Sequence, residues 1–157
     1  MIEPGQPAPD FELPNQDGEP VRLSDLRGKR IVLYFYPKAD TPGCTTQACG
    51  IRDHQADYDA AGATILGVSP DPVKAVKKFH DKYALSFDLL ADSDHTVADE
   101  YGVWVEKSMY GRKYWGNARA TFVIDEEGIV RHVVPKASPK THDDVILAAL
   151  AELTPAA

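Results

Sequence analysis

The sequence predicts an α/β fold, a mixed central β-sheet flanked by helices and preceded by an N-terminal β-hairpin. Three observations carry this reading. Residues 31–36 and 64–69 are apolar runs rich in β-branched and aromatic side chains, without polar alternation. Strands buried on both faces read that way, as in a sheet covered by helices. Each run is followed by a segment with helix-start signals. Near the C-terminus, two more β-rich runs flank a short Gly-containing turn, which marks an antiparallel pair.

The chain has 157 residues, enough for one domain with one core, and residues 1–157 are read as a single unit. Its formal net charge of −7 argues against a nucleic-acid binder that works by counterion release. The longest apolar run, 31–36, is far short of the roughly 20 residues of a membrane helix. The N-terminus shows neither a basic nor an apolar signal region, so a cytoplasmic protein is expected, with no membrane partner.

Element by element, Phe11-Glu12-Leu13 and Val21-Arg22-Leu23 form the first hairpin, with Asp17-Gly18 as its turn signal. Ser24 to Gly28 make a short helical turn. Pro37 ends the strand at 31–36, and a helix is expected over 44–60, stopped by Gly62. After the strand at 64–69, Asp71 is the expected N-cap and Pro72 the first-turn proline of the next helix. Val76, Phe79 and Tyr83 make its inner stripe. A short strand at 87–90 and a helix at 94–101 follow, the latter closed by Gly102. Residues 120–125 and 129–134 flank Glu126-Glu127-Gly128 as a hairpin. The last helix spans 142–153, with a capping-box pattern at Thr141 and Asp144. The aromatic and basic stretch 109–116 is expected to be a loop near the functional site. The acidic residues Asp57, Asp59, Asp92, Asp94, Asp99 and Glu100 are read as solvated. This order of elements is compatible with a thioredoxin-like fold.

The chemistry concentrates at Pro37-Lys38-Ala39-Asp40-Thr41-Pro42-Gly43-Cys44, with Cys49 following. Cys44 falls in the first turn of a helix that follows a buried strand. The first backbone N–H groups of a helix lack intrahelical partners, and the macrodipole is positive there. Both favour a thiolate, the nucleophilic form of cysteine. Cys49 lies five residues on. In an ideal helix the two Cα atoms stand about 8.7 Å apart, and a disulfide requires about 4.4–6.8 Å. The two cysteines cannot bond inside an intact helix; pairing would require the helix to unwind locally. A half-buried structural cysteine and a metal site are the competing readings. Two cysteines supply only half of a usual zinc set, and His54, His80, His95, His132 and His142 are scattered and read as solvated or locally bonded. The C-x-x-C dithiol signature is absent.

Pro37-x-x-x-Thr41-x-x-Cys44 resembles the active-site motif of peroxiredoxins. The fuller run Tyr34-Phe35-Tyr36-Pro37-Lys38 through Thr41-Pro42-Gly43-Cys44-Thr45, with Cys49 and Arg52-Asp53 after it, is similar to the bacterioferritin-comigratory or Q-type branch. So are Gly67-Val68-Ser69, residues 87–92 and residues 119–125. Gln47 is a departure, since many members of the branch carry Glu there. The resemblance implies a thiol-dependent peroxidase that needs no cofactor and no metal. It makes Cys44 the peroxidatic cysteine, which attacks a hydroperoxide to give a sulfenic acid. Thr41 and the N–H groups of Gly43 and Cys44 are the implied donors to the departing oxygen. Arg119 would stabilise the thiolate, and Pro37 would shield the site. Cys49 would resolve the sulfenic acid as a disulfide, recycled by thioredoxin or a glutaredoxin, and a monomer suffices. The rival readings are a thiol-disulfide oxidoreductase on the same fold and a redox-sensing or chaperone-like binding module.

Overall fold

The structure, a computed structural model, describes residues 1–153; the last four residues of the expected single unit lie outside the described residues. A five-stranded sheet organises it. In chain order its strands are β3 (Arg30–Phe35), β4 (Ala63–Ser69), β5 (Asp88–Ala91), β8 (Thr121–Ile124) and β9 (Val130–Val134). They lie side by side as β5-β4-β3-β8-β9. β3, β4 and β5 pair in parallel, whereas β8 runs antiparallel to both β3 and β9. β3 is therefore the line at which the sheet changes from parallel to antiparallel.

Alternation along β3 sends its side chains into two cores. Val32, Tyr34 and Tyr36 pack with Ile51, Tyr58, Val76, Phe79 and Ile146. These belong to α1 (Pro42–Asp53), α2 (Gln55–Ala60), α3 (Val73–Lys82) and α5 (His142–Glu152), which cover one face. Ile31, Leu33 and Phe35 pack with Tyr101 of α4 (Thr96–Tyr101) and with Phe11, Leu13 and Leu23 on the other. Phe11 and Leu13 belong to the N-terminal hairpin, in which β1 (Glu12–Pro14) pairs antiparallel with β2 (Pro20–Arg22). Its turn is held by Asn15, whose Oδ1 accepts from the N–H groups of Asp17 and Glu19 at 2.9 and 3.0 Å.

Five expectations are corrected. The helix expected over 44–60 is two helices broken at His54 (φ −104°, ψ 17°). The His54 side chain takes the Gly50 carbonyl at 2.9 Å, in competition with the backbone ladder. Asp71 does not cap α3. Its carboxylate instead accepts from Ala39 N–H at 2.7 Å beyond the neighbouring C-terminal ends of β3 and β4, and Pro72 occupies the N-cap. Asp92 is not solvated but buried, accepting from the N–H groups of Val97 and Ala98 at the start of α4. Burial raises its carboxyl above the usual range, against the pull of those two bonds. Thr141 precedes α5 without a side-chain cap, so no capping box forms.

The fifth correction concerns residues 109–116, expected to be a loop. They belong to a two-stranded arm, β6 (Trp104–Met109) paired antiparallel with β7 (Arg112–Asn117). Its turn residues Tyr110 (φ 51°) and Gly111 (φ 78°) both take the left-handed region, as a two-residue hairpin turn requires. Tyrosine rather than Asn or Asp at the first turn position hid the signal. Trp104 anchors the arm by stacking on His95, ring centroids 4.1 Å apart.

Candidate active site

The site forms where β3 ends and α1 begins. Thr41 is the N-cap of α1 in extended conformation (φ −96°, ψ 156°) and Pro42 is its first residue. Proline suits that place because its missing N–H would have had no partner there. Cys44 is thus the third residue of the helix. Its own N–H and that of Gly43 have no acceptor within the helix, and they carry the helix's positive end.

Cys44 is 1% exposed and part of the core cluster under the sheet. Burial alone would describe a structural thiol. One neighbour changes that reading. Nη1 and Nη2 of Arg119 both lie 3.5 Å from Cys44 Sγ, so the guanidinium fork straddles the sulfur. Nη1 also donates to Gln47 Oε1 at 2.9 Å. Gln47, one turn on from Cys44 and itself 1% exposed, therefore fixes the rotation of the fork. Gly43 makes the approach possible, since a methyl group there would sit 3.1 Å from Arg119 Nη2.

Arg119 is held from three sides. Its carbonyl accepts from Ala137 N–H at 2.7 Å, and the next residue, Ala120, accepts from Phe35 N–H at 2.8 Å. Buried Asn117 donates to the carbonyls of Tyr36 and Val68 at 3.3 and 3.4 Å, which ties the arm to the ends of two strands. Beside Arg119 opens a cleft of about 370 Å³, walled by Pro37, Val105, Ala118 and Pro135 and edged by Lys107. Burial, reinforced by the Arg119 charge, holds the Lys107 ammonium below the usual lysine range. Burial also raises Tyr34 beneath the site well above the ordinary phenol value.

Of the residues expected at the site, Arg119 is brought against Cys44, and Pro37 lines the cleft beside Arg119. Cys49 lies on the same helix, half-buried, and both cysteines are free. Thr41 is in place, but its hydroxyl donates to the Lys38 carbonyl at 2.9 Å rather than into the site. Sequence reasoning noticed Gln47 only as a departure and missed its contact with Arg119, because the two stand 72 residues apart. Of the histidines read as solvated or locally bonded, His142 is the buried one, 2% exposed and bonded through Nε2 to Thr121 Oγ1 at 2.8 Å. Among the described residues, no group of three or more His, Cys, Asp or Glu is placed to hold a metal ion.

Comparison with known proteins decides between these readings. The AhpC/TSA family profile matches residues 4–133. The chain belongs to the AhpC/TSA family. Within it, curated relatives include peroxiredoxins of the Bcp type. The putative peroxiredoxin bcp of Coxiella burnetii is 52% identical over 141 residues, 90% of this chain and 93% of that one. Peroxiredoxin Bcp of Escherichia coli K12 is 47% identical over 146 residues, 93% and 94% of the two chains. Among solved structures, the peroxidoxin BcpB of Mycobacterium tuberculosis superposes with a TM-score of 0.88 at 38% identity, over 98% of this chain and 99% of that one. A bacterioferritin comigratory protein of Xanthomonas campestris, studied for alkyl peroxide reduction, superposes at 0.85 with 38% identity, over 90% of each chain. This peroxiredoxin is accordingly a thiol-dependent peroxidase on a thioredoxin-like fold, acting on hydroperoxides with a reductant. The thiol-disulfide oxidoreductase and the binding module are not supported.

Proposed function

We propose that Cys44 is the peroxidatic residue, that Cys49 resolves it, and that hydrogen peroxide and organic hydroperoxides are both substrates. The observation that carries this is the Arg119 fork 3.5 Å from Cys44 Sγ at the positive end of α1. A guanidinium is a permanent cation with a planar set of donors. Placed there, it sets a positive charge against the attacking sulfur and offers N–H groups to the peroxide oxygens. The thiolate attacks the terminal oxygen, the O–O bond breaks, and the alkoxide or hydroxide leaves with a proton as alcohol or water. The N–H groups of Gly43 and Cys44 and the Arg119 fork are fixed donors toward that leaving oxygen. The Thr41 hydroxyl joins them only by releasing the Lys38 carbonyl. Pro37 forms the apolar wall that keeps water from the sulfur.

The sulfenic acid then condenses with the Cys49 thiol. The S–S bond forms, the S–O bond breaks, and the oxygen leaves as water. Because both cysteines lie on one helix of one chain, the cycle needs no second subunit and fits a monomer. A dithiol protein such as thioredoxin, or a glutaredoxin, reduces the disulfide.

Stopped-flow mixing of reduced protein with hydrogen peroxide and with an alkyl hydroperoxide tests the assignment. Cys44→Ser should abolish the peroxide-dependent phase. Cys49→Ser should keep the first turnover and let the sulfenic acid accumulate. A Cys44→Ser protein that reacts as fast as wild type would refute the reading.

A further inference from the structure

We propose that Asp143 is a clamp on α1 that sets how readily Cys49 leaves the helix, and so how the Cys44 sulfenic acid divides between disulfide and over-oxidation. The inference rests on the roles assigned above to the two cysteines.

Three elements converge on the residue that follows Cys49. The Gly50 backbone packs so closely on Asp143, at the start of α5, that a methyl group on Gly50 would lie 2.6 Å from Asp143 Oδ2. The other carboxylate oxygen accepts from the Tyr58 hydroxyl of α2 at 2.6 Å. The Gly50 carbonyl accepts from His54 Nδ1 at 2.9 Å, and the same ring nitrogen stands 3.5 Å from Asp143 Oδ2. Tyr58 is buried, and the Asp143 carboxylate is only 13% exposed. The carboxylate therefore gathers the end of α1, the start of α2 and the start of α5 around Gly50.

This arrangement bears directly on resolution. The two sulfurs cannot meet while α1 is intact. At the Cys44 end, the core and the Arg119–Gln47 pair hold the helix. Ala48 and Ile51 hold the Cys49 end in the same core, so unwinding must also free the backbone around Cys49, and Gly50 moves with it. Lifting Gly50 breaks its carbonyl's bond from His54 and separates it from the Asp143 carboxylate, which the Tyr58 hydroxyl holds in place. Those contacts stabilise the wound helix and are lost in the unwound one, so they lower the population of the state in which the disulfide forms.

While the helix stays wound, the sulfenic acid is exposed to a second hydroperoxide. That reaction transfers one more oxygen to sulfur as the O–O bond breaks, giving a sulfinic acid and an alcohol, or water where the oxidant is hydrogen peroxide. The ratio of disulfide formation to this reaction follows the opening equilibrium. A hydrogen bond to a charged group contributes enough that removing it should raise that equilibrium about tenfold.

The test uses Asp143→Asn, Asp143→Ala and Tyr58→Phe, the last keeping the ring in the core while deleting the donor. Stopped-flow traces with hydrogen peroxide separate the peroxide-dependent first phase from the peroxide-independent disulfide phase. Mass spectrometry gives the peroxide concentration that over-oxidises half the protein. The first phase should stay within about twofold of wild type, the disulfide phase should quicken about tenfold, and the half-over-oxidation concentration should rise in proportion. An unchanged or slower disulfide phase in Tyr58→Phe and in either Asp143 variant, with the first phase intact, overturns the clamp alone. Absence of a Cys44-dependent first phase in wild type overturns the assignment of Cys44 and the clamp with it.

Discussion

Replacing Arg119 by methionine is the sharpest probe of the site. The change keeps an unbranched side chain in the same space and removes both N–H groups that stand 3.5 Å from Cys44 Sγ. It also strips Gln47 Oε1 of its 2.9 Å donor, leaving a buried carbonyl unpaired. The second effect costs stability, about 1–3 kcal/mol for an unmade buried bond. The first costs rate. Loss of a preorganised donor aimed at developing charge typically raises the barrier by about 2.7–4 kcal/mol, or roughly 10²–10³ in rate. The second-order constant for hydrogen peroxide, measured by stopped flow after circular dichroism confirms the fold, should fall by about that factor. Arg119→Lys keeps the charge but cannot hold the sulfur and Gln47 at once, so it should lie between the two. An Arg119→Met protein that folds and reacts within about threefold of wild type would refute the electrostatic role assigned to the fork.

Gly67→Ala should destabilise the protein by about 1–3 kcal/mol in urea unfolding, because a methyl group there would meet the Tyr34 ring at 2.7 Å and both lie in the sheet's core. Gly43→Ala should leave the fold nearly unchanged but slow the peroxide reaction several-fold, since the new methyl would press on Arg119 Nη2 from 3.1 Å and turn the fork from the sulfur. Burial, with the Arg119 charge adding to it, pushes the His142 imidazole down to about 4. The unfolded chain then binds more protons than the folded one between about pH 6.5 and 4, so stability is present above that window and falls as pH drops through it, by roughly 3 kcal/mol. His142→Gln should flatten that part of the urea-derived stability curve. The raised Asp143 carboxyl works the other way on acidification and is common to both proteins.

What could be read from the chain was what is local. The buried runs at β3 and β4 and the place of Cys44 in the first turn of α1 all depend on neighbours in sequence. The features that turned out differently depend on partners far away. Asp71 looks like a helix cap until the parallel pairing of β3 and β4 brings it Ala39 N–H. Asp92 reads as solvated until the N–H groups at the start of α4 close on it. The break at His54 arises because its ring bonds back to Gly50, and a nearby Asp143 carboxylate favours that ring position. Arg119 was legible only as part of a resemblance. Nothing in its own segment says that Gln47 waits for it.

The encounter of Arg119 with Cys44 follows from strand direction. The chain leaves β3 at its C-terminal end and reaches Cys44 at the start of α1. β8 pairs antiparallel with β3, with Tyr34 opposite Thr121, so β8 begins beside the place where β3 ends. Arg119, two residues before Thr121, is thereby delivered to the mouth of α1. Were β8 parallel to β3, its first residue would lie at the far end of a six-residue strand, roughly 17–20 Å away, beyond the reach of any side chain. The change from parallel to antiparallel pairing at β3 is thus what places a cation against the sulfur. The same reversal makes β9 run back, so that the chain enters α5 on the face covered by α1. That path brings Asp143 beneath Gly50. One topological choice supplies both the charge that faces Cys44 and the carboxylate that restrains Cys49.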